Sequence, residues 1–148
     1  MKGTLLIVRQ GETDDIGNTT LSQRGEQRLE QFRASILHQL SRVDVVYRAG
    51  SSTALATGEI LMPGLRNRKL QPIKGLGMGS LEIPAQIITG MEQDSHMLAI
   101  GGDKLVTRKL IAYFATALKR TYEGDGLPYY QAAFVDGPAA SITFVPAY

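Results

Sequence analysis

An α/β fold with a mainly parallel sheet and helices on both faces is predicted by three observations. Thr4-Leu5-Leu6-Ile7-Val8 is an apolar run without polar alternation, the pattern of a strand covered on both sides. Strand-like and helix-like segments then alternate along the first half of the chain, as parallel sheets with helical crossovers require. The third is size and composition: 148 residues, 43% hydrophobic and 20% charged, describe one ordinary folded domain and exclude disorder, collagen and coiled coil. No repeat, low-complexity tract or linker interrupts the chain, so residues 1–148 are read as a single domain.

The elements follow in order. After the opening strand comes the turn Arg9-Gln10-Gly11-Glu12-Thr13. Between Leu21 and Leu40, the apolar residues Leu29, Phe32, Ile36, Leu37 and Leu40 recur at helical spacing, with Ser22 as N-cap. Val43 to Tyr47 reads as a second strand. Ser51 or Ser52 caps a helix through Met62 that Pro63-Gly64 must stop. Residues 64–103 are poorly patterned and predict a long irregular excursion, with glycines at 75, 77 and 79 disfavouring regular structure. Asp103 caps a helix from Lys104 to about Arg120, with Val106, Leu110, Tyr113, Phe114 and Ala117 on one face. Tyr130 to Val135 and Ser141 to Val145 are the last strands, joined through Asp136-Gly137-Pro138.

Charge and residue types exclude several function classes. Sixteen basic and fourteen acidic side chains leave a net charge of +2, too small to imply nucleic acid or membrane. Residues 1–74 carry eleven basic and seven acidic groups, net +4, and residues 75–148 five and seven, net −2. An anion site is therefore expected in the first half. With no cysteine and only His38 and His96, a zinc site has little to use, and no metal or cofactor is expected. No segment is long enough to span a bilayer and no cleavable leader pattern opens the chain, which predicts a cytoplasmic protein. Gly75-Leu76-Gly77-Met78-Gly79 lacks the strand and capped helix of a phosphate cradle. The basic stretch Arg66, Arg68, Lys69 and Lys74 reads as a solvated loop. His38 reads as a helix-edge residue and His96 as a loop residue.

In an open parallel sheet, ligands collect beyond the carboxyl ends of the strands, which directs attention to Arg9–Thr13. The guanidinium of Arg9 offers a planar fork of donors suited to phosphate oxygens, and Gly11 lets the backbone turn closely around a ligand. Arg9 as a plain surface arginine in a strand-to-helix turn is the alternative.

The string LLIVRQGET, followed by LSQRGEQRL, resembles the histidine phosphatase superfamily, the phosphoglycerate-mutase-like family with signatures RHGET and LTxxGxxQA. VDVVYRAGSSTALATGEIL is similar to its strand-loop-helix segment vysSPLxRAxqTAexi, LGMGSLEI to its LGxxEG stretch, and IGGDKLVTRKL to its GGES followed by an arginine-bearing helix. The similarity covers about residues 4–120 in the right order. It implies a phosphoglycerate-mutase-like fold, shortened at the C-terminus, and a family chemistry of phosphoryl transfer through a phosphohistidine.

On that resemblance the chain lacks the catalytic groups. Gln10 stands at the nucleophile's position, and its amide nitrogen pair is delocalised where an imidazole's is localised. Thr53 stands where the family has its second phosphate-gripping arginine, with Arg48 nearby as a substitute. Gly75 stands at the general acid's position. Counting one helix and a loop past Arg108 brings the second histidine's counterpart to Asp136; an alternative alignment makes Ser141–Val145 the last family strand and deletes the one before it. Arg9, Gln10, Asn18 and Arg48 remain as candidate phosphate-binding residues. Either alignment leaves the sheet short of cover at its C-terminal side, which implies a homo-oligomer or hetero-complex there.

Three functions follow. One is a pseudoenzyme that binds a phosphorylated small molecule or protein. A second is a scaffold or assembly subunit. The alternative to both is an active phosphatase or phosphomutase acting on a small phosphate ester, with water activated by some other residue.

Overall fold

The opening apolar run forms β1 (Thr4–Arg9) in the computed structural model, which describes residues 1–14, 20–64 and 70–146. The strand lies at the centre of a six-stranded sheet, with Leu5, Leu6, Ile7 and Val8 no more than 1% exposed. Each such aliphatic side chain contributes about 1.5–3 kcal/mol on burial, which is why an unalternating sequence belongs in mid-sheet.

Ser22 caps α1 (Gln23–Ser35) by accepting from the Gly25 amide. The single helix expected between Leu21 and Leu40 breaks at Ile36, where φ is −117°, and a short α2 (Leu37–Leu40) follows. Leu29, Phe32, Ile36 and Leu40 are buried as the spacing predicts, but Leu37, also expected on that face, is 48% exposed. β2 (Val45–Arg48) leads into α3 (Ser52–Leu61), capped by Ser51 through the Ala54 amide.

The expectation of an irregular excursion over residues 64–103 is corrected. Its described part contains β3 (Leu70–Pro72), α4 (Ala85–Glu92) and β4 (His96–Gly101). β4 inserts between β1 and β2, where Met97 to Ile100 are at most 1% exposed. His96 is therefore a strand residue, with Nδ1 2.8 Å from Thr4 Oγ1. Its four-residue apolar run is too short to outweigh the glycines around it in a sequence reading.

Asp103 caps α5 (Lys104–Ala117) through the Val106 amide, three residues short of the expected end. Val106, Leu110 and Phe114 are buried, joined by Thr107 and Ile111, while Tyr113 and Ala117 from the expected face are exposed. β5 (Ala132–Asp136) and β6 (Ser141–Val145) form the final hairpin.

The strand order is β3-β2-β4-β1-β5-β6. The first four are mutually parallel, β5 is antiparallel to β1, and β6 is antiparallel to β5. α4 packs on one face, where a Cβ at Gly90 would meet the Met97 sulfur at 2.4 Å. α3 packs on the other, where a Cβ at Gly58 would meet Ile100 Cδ1 at 3.2 Å. Among the described residues no helix is long and apolar enough to cross a membrane.

Candidate functional site

The carboxyl ends of β1, β4 and β2 lie side by side, because all three strands run the same way. Gln10 follows β1 directly. Its amide donates to the Gly101 carbonyl of β4 at 3.0 Å, continuing the ladder one residue past the strand. Gln10 is 6% exposed, and its Oε1 accepts from Ser51 Oγ at 2.8 Å. Ser51 thus both caps α3 and fixes the Gln10 amide. Gly11 donates to Thr57 Oγ1 at 3.0 Å, whose hydroxyl donates to the Thr53 carbonyl at 2.8 Å. The turn is therefore joined to α3 by hydrogen bonds from consecutive residues.

The first turn of α1 closes the other side. Ser22 donates its amide to the Glu12 carbonyl at 2.9 Å, and a Cβ at Gly25 would sit 2.7 Å from that oxygen. The glycine in LSQRG is required by this close approach.

The two candidate arginines differ in setting. Arg48 ends β2; its Nη1 donates to the Ala49 carbonyl at 3.0 Å, while Nε is buried without a hydrogen bond. A buried guanidinium donor without an acceptor is costly, and an anion would relieve it. The pleat places Arg48, paired with Ile100, on the same side of the sheet as Val8 and Gln10; Arg9, paired with Gly101, projects from the other. Arg9 Cζ lies 3.8 Å from the centroid of the Tyr129 ring, and among the described residues no acceptor takes its donors.

The remaining candidates separate. Thr53 is fully buried in the first turn of α3. Asn18 lies outside the described residues. Gly75 has φ +101° and carries no acid; its carbonyl accepts from Lys109 Nζ at 2.6 Å. Burial pushes the Lys109 ammonium below its usual range, with Glu82 and Asp103 acting in the opposite direction.

Asp136 is corrected as an occupant of the site. It pairs with Thr4, at the amino end of β1 and so at the opposite end of the sheet from Gln10, and Oδ1 accepts from the Ala139 amide. The count past Arg108 placed it at the site because β4 was not recognised as the parallel neighbour of β1. His38 is exposed on α2 and His96 sits by Thr4, so neither histidine reaches Gln10.

Sequence reasoning quoted Gly101-Gly102 only inside the IGGDKLVTRKL match, without a role, and missed Tyr129. Gly102, just past β4, donates to the Leu76 carbonyl at 2.8 Å, and Gly79 donates to Asp103 Oδ2 at 3.0 Å. The glycine-rich loop thus closes over the strand end. A Cβ at Gly102 would sit 2.8 Å from the Met78 amide nitrogen and 3.2 Å from the Leu76 carbonyl. No side chain fits there without moving the loop. The available signal was the apolar run followed by Gly-Gly-Asp and a helix, the same strand, cap, helix grammar as β2 and α3. Beside the loop is a groove of about 450 Å³ walled by Gly50, Ile73, Lys74 and Met78.

Tyr130 accompanies the site. Its hydroxyl donates to Glu12 Oε1 at 2.7 Å, and Arg28 Nη1 lies 3.8 Å from the same oxygen. Burial, then the bond to Glu12, raises the Tyr130 phenol well above the ordinary tyrosine range.

No protein-family model matches the sequence, and no curated protein matches it. Solved structures do resemble it. The alpha-ribazole phosphatase from Shigella flexneri superposes with a TM-score of 0.65 at 14% identity, covering 90% of this chain and 90% of that one. The protein histidine phosphatase SixA complexed with tungstate gives 0.64 at 15%, covering 95% and 93%. Phosphoglycerate mutase from Plasmodium falciparum gives 0.56 at 14%, covering 98% and 89%. At these identities the likenesses establish a shared fold, the one found in these phosphatases and in the mutase.

Proposed function

We propose that this chain is a pseudoenzyme: a cytoplasmic binding and assembly protein on a histidine-phosphatase fold that keeps a weak grip on phosphate but transfers none. The observation that carries the reading is Gln10, buried at the end of β1 with its oxygen engaged by Ser51. An amide supplies no localised electron pair for attack on phosphorus, so a covalent phospho-intermediate cannot form on this residue. The closed loop over Gly102 and the absence of a carboxyl at Gly75 support the same reading. Loss of a general acid alone removes about two to four orders of magnitude in rate.

Arg9 supports phosphate binding because its donors are unengaged among the described residues, and Arg48 because its Nε is. A hydrogen bond to a charged group contributes about 1.5–3 kcal/mol, so one or two arginines sustain millimolar to micromolar affinity. The ligand class is a phosphorylated small molecule or a phosphorylated protein partner. The assembly role rests on β6, an edge strand with Thr143 and Phe144 exposed.

Incubation with p-nitrophenyl phosphate and with phosphoglycerates tests the proposal. No turnover above a heat-killed control is expected, and Gln10→His alone is expected to restore none. Turnover abolished by Arg9→Ala, or a phosphorylated adduct mapped to the loop after β1, overturns it.

A further inference from the structure

We infer that Tyr129 is the positioning residue for Arg9, holding its guanidinium over the ring so that its donors are presented to a bound oxyanion; this rests on the phosphate-binding reading above. A cation over an aromatic face interacts through the π cloud and keeps its in-plane N–H groups for another partner. Arg9 fits that description, with Cζ 3.8 Å from the Tyr129 centroid and no acceptor among the described residues. An arginine already confined to one orientation loses less freedom on binding than one swinging in solvent, so the ring raises affinity without touching the ligand.

The chain on both sides of Tyr129 is anchored. Before it, Leu127 is fully buried and its amide donates to Thr107 Oγ1 at 2.9 Å. Gly126, at φ +110°, passes so close to α5 that a Cβ would lie 2.2 Å from the Lys104 carbonyl. After it, Tyr130 adopts φ +61°, a left-handed conformation costly for an aromatic residue. The Glu12 bond at 2.7 Å and an edge contact with Phe32 at 6.3 Å hold it there. A strained residue locked by these two neighbours sets the turn that puts Tyr129 under Arg9.

The test uses the full chain, with inorganic phosphate and tungstate as probes at constant ionic strength, read as anion-dependent shifts in melting temperature and as Kd. Arg9→Ala is expected to abolish the response. Tyr129→Leu is expected to raise Kd roughly fivefold at an unchanged apo melting temperature, and Tyr129→Phe to bind within about twofold of wild type. A second measurement needs no variant: the Arg9 δ protons of the wild type are expected upfield of ordinary arginine shifts, from the Tyr129 ring current. Unshifted δ protons, or wild-type affinity in Tyr129→Leu while Arg9→Ala has lost binding, overturns the inference and leaves the phosphate reading standing. Wild-type protein that does not respond, or Arg9→Ala that responds fully, overturns the phosphate reading and the inference with it.

Discussion

At the scale of single residues, the site shows how a buried amide side chain is satisfied by its neighbours. Gln10 is buried because its oxygen has the Ser51 hydroxyl and its backbone completes the β1–β4 ladder. Ser51 therefore does two tasks at once, as cap and as partner. Ser51→Ala removes both, and a loss of about 1–2 kcal/mol is expected in urea unfolding. Arg9, Gln10 and Gly11 were legible from the strand pattern and the motif around them. Tyr129 was not, because a tyrosine after a proline in a loop has no periodicity to betray its target.

The Tyr130 phenol gives a pH prediction at the same scale. Its pKa in the folded chain is raised, from the ordinary value of 10.0, by burial first and then by the Glu12 bond. The native state thus keeps its proton where the unfolded chain releases it. The stabilisation is complete below pH 10 and is lost as the pH rises above that value. Denaturant melts from pH 8 to 11 are expected to show wild type losing stability above pH 10 faster than Tyr130→Phe, and parallel curves would remove the assignment.

Elements were legible where one physical signal dominated and illegible where signals competed. β1 is an unalternating apolar run, and α1, α3 and α5 each begin at a serine or aspartate cap that forms the expected bond. β4 carries only Met97 to Ile100 as a clear run, flanked by a serine and histidine on one side and glycines on the other. Those glycines are required by packing. Gly102→Ala is expected to destabilise by about 1–3 kcal/mol, because the new Cβ at 2.8 Å from the Met78 nitrogen must push back backbone that is also tied at Leu76 and Gly79. Hydrogen exchange is expected to quicken at the Gly79 and Gly102 amides first. Unchanged exchange at both would mean that the loop yields freely and leaves room for a side chain.

For the whole molecule, the two edges of the sheet differ in how they meet solvent. Among the described residues β3 spans Leu70–Pro72, and its closing proline lacks an N–H donor, a feature that resists pairing at an edge. β6 has five residues, Ser141 to Val145, without a charge or a proline, and among the described residues it pairs with β5 alone. The sequence reading expected an uncovered C-terminal side from alignment; the described residues place β6, an uncharged strand, at that edge. In the proposed assembly, two copies add β6 to β6 antiparallel about Thr143. That register sets Ile142 of one copy beside Phe144 of the other, on the face where the Tyr122 and Phe144 rings stack at 6.1 Å. Sedimentation at rising concentration is expected to show a reversible dimer. Phe144→Lys, which places like charges near the two-fold axis and keeps the hairpin's backbone bonds, is expected to give a monomer with an unchanged circular dichroism spectrum. Wild type that stays monomeric at every concentration removes the homomeric assembly role and leaves phosphate binding by Arg9 to stand on its own test.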